Sequence, residues 1–265
     1  MKKATRLLII ALLLIMSTIN ASAIPMAALD THSIETGILS VLYQAPQTST
    51  TKIMIENGSK RVFYNLPSDR TEESFALLMG DGKYKISILE HVTGNQYRPV
   101  QTETLQVNIK DYNTLFLSSV QEIRWHEEMA AIQKAAELTD GLTTDLEKVA
   151  AVYEYMVRNI SYDYDKIPTL TSSYLPDVDS IFLSNKGICY DYASLFAAML
   201  RSVGVPAKMA KGYAAKMEEY HAWNEVMVDG EWRTIDTTID AAYRQAGQSI
   251  EMFKNNAEFS KTGEA

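Results

Sequence analysis

Apolar residues follow two different rhythms along this chain, and the change falls after about Asn113. Across residues 35–110 they come in short runs that alternate with polar positions, the period of a strand with one buried face. Gly37 to Tyr43, Lys52 to Glu56, Arg61 to Tyr64, Tyr84 to Leu89 and Thr104 to Ile109 are such runs. Turn-forming residues separate them: Asn57-Gly58, Gly80-Asp81-Gly82 and Thr93-Gly94-Asn95. Asn-Gly between alternating runs predicts a hairpin. Phe75 to Met79, the glycine turn after it and Tyr84 to Leu89 predict a second. Several short strands at this spacing predict a small β-sandwich-like module, and no chemical constellation lies within it.

Beyond the change the rhythm is helical. Glu122 to Leu138 is predicted as a helix with Ile123, Met129, Ile132 and Ala136 on one side, ending at Asp140-Gly141. Thr144-Asp145-Leu146-Glu147 has the form of a capping box. Leu146, Val149, Ala150, Tyr153, Met156, Val157 and Ile160 then recur at steps of three and four, a buried stripe. Residues 161–179, with Pro168 and Pro176, read as loop. A further helix follows Cys189, with Tyr192, Phe196, Met199, Leu200 and Val203 on one face and Gly204 and Pro206 ending it. His221 to Val228 and Glu231 to Asp236 read as strands around the turn Asp229-Gly230. The expected class is α+β: a β-rich N-terminal domain over residues 24–115, then a second domain over 116–265.

The first residues follow neither rhythm. Lys2, Lys3 and Arg6 precede ten unbroken apolar residues, Leu7 to Met16, and Ala21-Ser22-Ala23 follows. That order is the form of a secretory signal peptide, residues 1–23, cleaved near Ala23. Ten residues of helix rise about 15 Å, half of a bilayer's hydrocarbon core, so the run is too short to span. The expectation is a secreted, extracytoplasmic product with no membrane span in the mature chain.

The composition is that of a globular protein, 46% hydrophobic and 22% charged. A net charge of −8, more negative still without the leader, opposes binding to a phosphate backbone, so no nucleic-acid partner is expected. A single cysteine excludes an intrachain disulfide and any multi-cysteine metal site. None of His32, His91, His126 and His221 pairs with another at metal-ligand spacing, and no metal or cofactor is expected. The first three read as surface residues.

An odd cysteine in an exported chain is either a buried, inert side chain or a reactive thiol. Cys189 opens a predicted helix, where unpaired backbone N–H groups and the helix dipole favour thiolate and could hold an oxyanion. A core-filling thiol fits that position equally well. The hairpin adds a second observation. If Asp229 and Gly230 are its two loop residues, Trp223 faces Asp236 and His221 faces Thr238, all four on one side of the sheet. His221 and Asp236 are then diagonal neighbours within side-chain reach. A carboxylate beside an imidazole fixes its tautomer and stabilises its charged form. Trp223 and Trp232 read as packing for the hairpin. The spacing says nothing of how near Cys189 lies.

Taken in order, Gly187-x-Cys189-x-Asp191-Tyr192-Ala193, Gly204-Val205-Pro206-Ala207, Gly212-Tyr213, His221-Ala222-Trp223-Asn224 and Trp232-x-x-x-Asp236-x-Thr238 resemble the core of the transglutaminase-like superfamily. The match runs over about residues 145–240, and Asn159 to Asp163 resembles the segment ahead of that core in bacterial members. The resemblance implies a papain-like fold with helices packed on an antiparallel sheet. It implies Cys189 as nucleophile, His221 as general base and acid, and Asp236 as the residue orienting His221. Animal transglutaminases carry Trp directly after the cysteine, where this chain has Tyr190. The short stretch after Asp236 leaves no room for their calcium loops and C-terminal sandwiches. A leader and a β module ahead of the core make the arrangement similar to secreted bacterial members. The expected activity is acyl transfer from a peptide or protein amide through a thioester, with water as acceptor, as in a cysteine protease or amidase. The alternatives are a protein-glutamine transglutaminase with an amine acceptor and a non-catalytic cell-surface binding protein. Cell-wall peptides, surface proteins and environmental peptides all fit as substrate.

Overall fold

In the computed structural model, residues 27–265 are described apart from 48 and 216; the leader therefore lies outside the described residues. Strands β1 (Ala28–Asp30), β2 (Ile38–Leu42), β3 (Thr51–Asn57), β4 (Lys60–Leu66), β5 (Glu72–Ala76), β6 (Gly82–Thr93) and β7 (Gln96–Val107) form two antiparallel sheets. One has the order β1-β2-β5 and the other β4-β3-β6-β7. Alternation sets the faces as expected: Ile53 and Ile55 of β3 lie opposite Ile88 and Ile86 of β6, and all four are buried between the sheets.

The Asn57-Gly58 hairpin forms, and so does the one around Gly94. The hairpin expected from Phe75–Met79 and Tyr84–Leu89 does not. β5 ends at Ala76 and pairs with β2, while β6 pairs with β3 and β7 in the other sheet. Residues 77–82 carry the chain across the sandwich instead of folding it back. The buried Tyr84 hydroxyl fastens that corner: it lies 2.8 Å from the Gly80 carbonyl and 3.1 Å from the Leu77 carbonyl, and accepts the Met79 N–H. The two glycines suggest a tight turn; the Tyr84 hydroxyl, bonded to the backbone of the connecting segment itself, holds it in a crossover instead.

The second region begins with α1 (Tyr112–Leu115) and continues with α2 (Ala130–Thr139), α3 (Asp145–Asn159), β8 (Ser161–Tyr162), α4 (Val178–Ser184), β9 (Lys186–Gly187) and α5 (Cys189–Ser202). β10 (Ala207–Ala214), β11 (His221–Val228), β12 (Glu231–Ile235), α6 (Thr237–Gln245) and β13 (Phe259–Glu264) complete it. The antiparallel sheet has the order β12-β11-β10-β13, and α5 packs on β10 and β11. Asp191 through Arg201 of α5 are buried on every side, which makes it the central helix of an α+β layer. None of the helices among the described residues is long and apolar enough to cross a membrane.

Three local expectations need correction. Residues 122–129 are not helical, because Glu122 spends its carbonyl and carboxylate on Ser194 and Tyr190 of α5 and the Trp125 N–H is taken by Ser119. In α2 the buried alanines are Ala131 and Ala135, while Ala136 is exposed, a one-residue rotation of the expected face. Leu146, at the open end of α3, is 40% exposed. The Thr144–Glu147 capping box forms as expected, with both reciprocal hydrogen bonds in place.

Candidate active site

The segment Gly187-Ile188-Cys189-Tyr190-Asp191 builds one wall of the site. The Asp191 carboxylate, fully buried, folds back to accept the Ile188 N–H at 3.0 Å and so starts α5 at Cys189. Gly187 makes room for this, since a β-carbon there would lie 2.6 Å from that of Asp191. Lys166 reaches the same carboxylate at 2.6 Å and the Tyr174 hydroxyl donates to it, so the loop ahead of α4 is fastened to the helix start. Cys189 is half-buried, at the end of α5 where backbone N–H groups have no helical partner.

The hairpin builds the opposite wall. Asp229 and Gly230 take φ of 53° and 80°, the left-handed pair that a two-residue turn requires. The register then runs as expected from Val228↔Glu231 to Asn224↔Ile235. There β12 stops. Asp236 is the N-cap of α6, with Oδ1 accepting the Ile239 N–H at 3.1 Å, and Thr237 and Thr238 belong to the helix. Thr238 therefore does not face His221 across a strand, nor Asp236 Trp223; a capping carboxylate ends the ladder at Ile235, three residues before Thr238. The same turn leaves Asp236 Oδ2 2.7 Å from His221 Nε2, with both side chains buried.

The other ring nitrogen, Nδ1, is buried without an aligned hydrogen-bond partner. The Cys189 thiol is close enough to favour the charged ring. Burial opposes a charge on His221, but the Asp236 hydrogen bond, the contact with Cys189 and the charges of both outweigh it and raise the group to about 10 from its ordinary 6.5. The structure thus brings the Cys189, His221 and Asp236 side chains into one chain of contacts. Half-buried thiol, hidden imidazole and hidden carboxylate follow one another inward.

Sequence reasoning missed what holds the two walls together. Asn224, buried, donates to the Ala193 carbonyl of α5 at 2.9 Å and to the Lys208 carbonyl of β10 at 3.0 Å, pinning helix to sheet one residue beyond Trp223. It stands in the quoted motif beside His221, which is the signal that could have found it. Tyr190, next to the thiol, donates to Glu122 at 2.8 Å, and Lys211 pairs with the same carboxylate while lying over the Tyr190 ring. Trp223 is buried against Phe259, and Trp232 packs edge-on against Phe116. His32 and His126 are exposed and pair with Asp30 and Glu128; His91 is half-buried and bonds the Gly94 carbonyl. Among the described residues, no group of three or more His, Cys, Asp or Glu could hold a metal ion.

Residues 132–237, which contain all three of these side chains, match the family model of the transglutaminase-like superfamily, and this segment is a transglutaminase-like domain. Human kyphoscoliosis peptidase is 31% identical over 105 residues, covering 36% of this chain and 16% of the relative. The mouse protein of the same name is 30% identical over the same length and shares. The chain thus spans about one sixth of the length of these relatives. Among solved structures, a candidate cysteine protease from Cytophaga hutchinsonii is 18% identical, with 86% of this chain and 87% of that one covered and a TM-score of 0.44. Red sea bream transglutaminase is 10% identical, covering 76% and 47%, with a TM-score of 0.32.

Proposed function

We propose that this protein is a cysteine-dependent acyl-transfer enzyme acting on peptide or protein amides, with Cys189 as nucleophile, His221 as proton carrier and Asp236 as its orienting carboxylate. One observation carries the reading: the 2.7 Å Asp236–His221 hydrogen bond occupies Nε2 and leaves Nδ1 without a hydrogen-bond partner, while the Cys189 side chain acts on the same ring. An imidazolium beside a thiol at a helix start favours thiolate. The thiolate adds to the amide carbonyl, the C–S bond forms and the carbonyl pair moves to oxygen, where the Cys189 backbone N–H helps hold it. The pair returns, the C–N bond breaks and His221 gives its proton to the leaving amine. A second nucleophile, its proton taken by His221, then adds to the thioester and expels the thiolate.

Water is the acceptor proposed here, in keeping with the word peptidase in the names of the two relatives. The proposal includes export, which rests on the leader pattern of residues 1–23. The first test is alkylation of Cys189 by iodoacetamide across pH 5–8. A rate well above that of a free thiol is expected, and a rate no faster ends the nucleophile reading. A candidate peptide incubated with and without a labelled primary amine then separates the acceptors. Release of free acid is expected, and amine incorporation that vanishes in Cys189→Ala would replace hydrolysis by cross-linking.

A further inference from the structure

The acyl-transfer reading leaves a negative oxygen with one named donor, and the residue facing that place comes from a segment the mechanism has not used. β8 and β9 pair in parallel, with Tyr162 opposite Gly187, two residues ahead of Cys189. The backbone is fixed on both sides of Tyr162: the Ser161 N–H donates to the Asn185 carbonyl at 2.9 Å and the Asp163 N–H to the Gly187 carbonyl at 3.0 Å. One residue earlier, the Ile160 carbonyl accepts the hydroxyl of Tyr192 from α5 at 2.6 Å. Tyr162 is half-buried, its ring 4.8 Å from that of Tyr164 and packed on the same core as Cys189. Its hydroxyl donates to no side chain or carbonyl among the described residues.

We propose that the Tyr162 hydroxyl is the second donor to the oxyanion formed at Cys189, acting beside the Cys189 backbone N–H. A tyrosine so placed brings a proton donor on a rigid ring, held by a two-residue ladder to β9, which ends two residues ahead of the nucleophile, so little reorganisation accompanies the reaction. Burial, then the Cys189 thiol, pushes Tyr162 up to about 12, and the Cys189 N–H acts on its oxygen in the opposite sense. The hydroxyl therefore keeps its proton throughout the range in which His221 is charged. In the free protein its oxygen neighbours the Cys189 N–H; in the tetrahedral adduct both protons turn to the substrate oxygen. The C–S bond forms as the carbonyl pair moves to oxygen, and neither donor gives up its proton.

This inference rests on the acyl-transfer reading, and the test separates the two. Iodoacetamide alkylates a thiolate without forming an oxyanion, whereas p-nitrophenyl acetate must pass through one. Both rates are measured at Cys189 in the native protein and in Tyr162→Phe, which keeps the ring packing. Alkylation is expected to stay at its native rate while acylation falls by about 10²-fold, the usual cost of one oxyanion donor. Unchanged acylation overturns the inference, as does an equal fall in both rates, which would make Tyr162 a modulator of the thiol. A native Cys189 that reacts with neither reagent faster than a free thiol overturns the nucleophile reading itself, and this inference with it.

Discussion

Strands β3 and β6 of the sandwich turn Ile53, Ile55, Tyr84 and Ile86 inward, whereas β11 of the second region turns in His221, Trp223 and Asn224. The contrast extends beyond these strands. Among the described residues, the buried polar side chains on the sandwich strands are Thr51, Glu73 and Ser87, and Glu73 is answered by Arg70 at 2.7 Å. The second region buries Asp191, Ser194, Arg201, His221, Asn224, Asp236 and Asp240, and their partners lie on other elements. An apolar interior tolerates sliding of the register by methyl groups; a network of buried hydrogen bonds fixes distances to tenths of an ångström, at the expense of desolvation. The region that keeps such groups inside is the one that needs fixed distances.

Substitutions on the two sides should therefore fail differently. The largest separation is expected from Asp236→Asn, which keeps an N-cap for α6 but removes the charge beside His221. His221 lies above its ordinary value, so its charge contributes stability that is fully present below 6.5 and lost as pH rises through about 10. The alkaline limb of Cys189-dependent turnover should fall near 10 in the native protein and move toward 6.5 in the variant. Coincident limbs in a pH–rate comparison would show that Asp236 does not tune the ring. In the sandwich, Tyr84→Phe should cost about 1–3 kcal/mol in denaturant unfolding and leave the iodoacetamide rate at Cys189 unchanged. A fall in that rate would erase the contrast. The smallest effect is expected at the solvent-accessible pair Lys134–Glu137 on α2, 2.9 Å apart with Lys134 half-buried and Glu137 exposed, where Glu137→Ala should change stability by less than ~0.5 kcal/mol.

Asp236 and Asp240 sharpen the contrast within one turn of helix. Asp236 gives one oxygen to His221 and the other to the start of α6. Asp240 receives the Tyr153 hydroxyl at 2.9 Å and lies 2.7 Å from Lys254, an ion pair rather than an aligned hydrogen bond. Burial raises Asp240 to about 6, against the pull of Lys254 and Tyr153. Only the first carboxylate reaches the imidazole.

Local patterns were legible where one strand or one helix decides. The Asp229-Gly230 turn fixes the β11–β12 register, the capping box starts α3, and the apolar face ended by Gly204 and Pro206 marks α5 with Cys189 at its start. What alternation and periodicity could not reveal was decided by polar side chains bonding to backbone or to other elements. Tyr84 converts an apparent hairpin into a crossover, Glu122 prevents a helix, and a capping aspartate ends β12 before Thr238. The His221–Asp236 pair could be read from the hairpin, but the approach of Cys189 depends on Asn224 and Ser194 clamping α5 to its neighbours. Motif order alone carried that step.

Consecutive residues divide their loyalties at the junction. Gln121 belongs to the sandwich, with its N–H on the Ser74 carbonyl and its side chain on the Asn65 carbonyl, each at 2.8 Å. Glu122 belongs to the other region and holds Tyr190, whose neighbour in the chain is Cys189. A single peptide bond thus joins these two anchors, and the Asn65 amide adds a second tie by donating to the Ser172 carbonyl at 3.4 Å. A displacement of the sandwich at Ser74 or Asn65 is therefore carried, with no flexible linker between, to the residue beside the thiol.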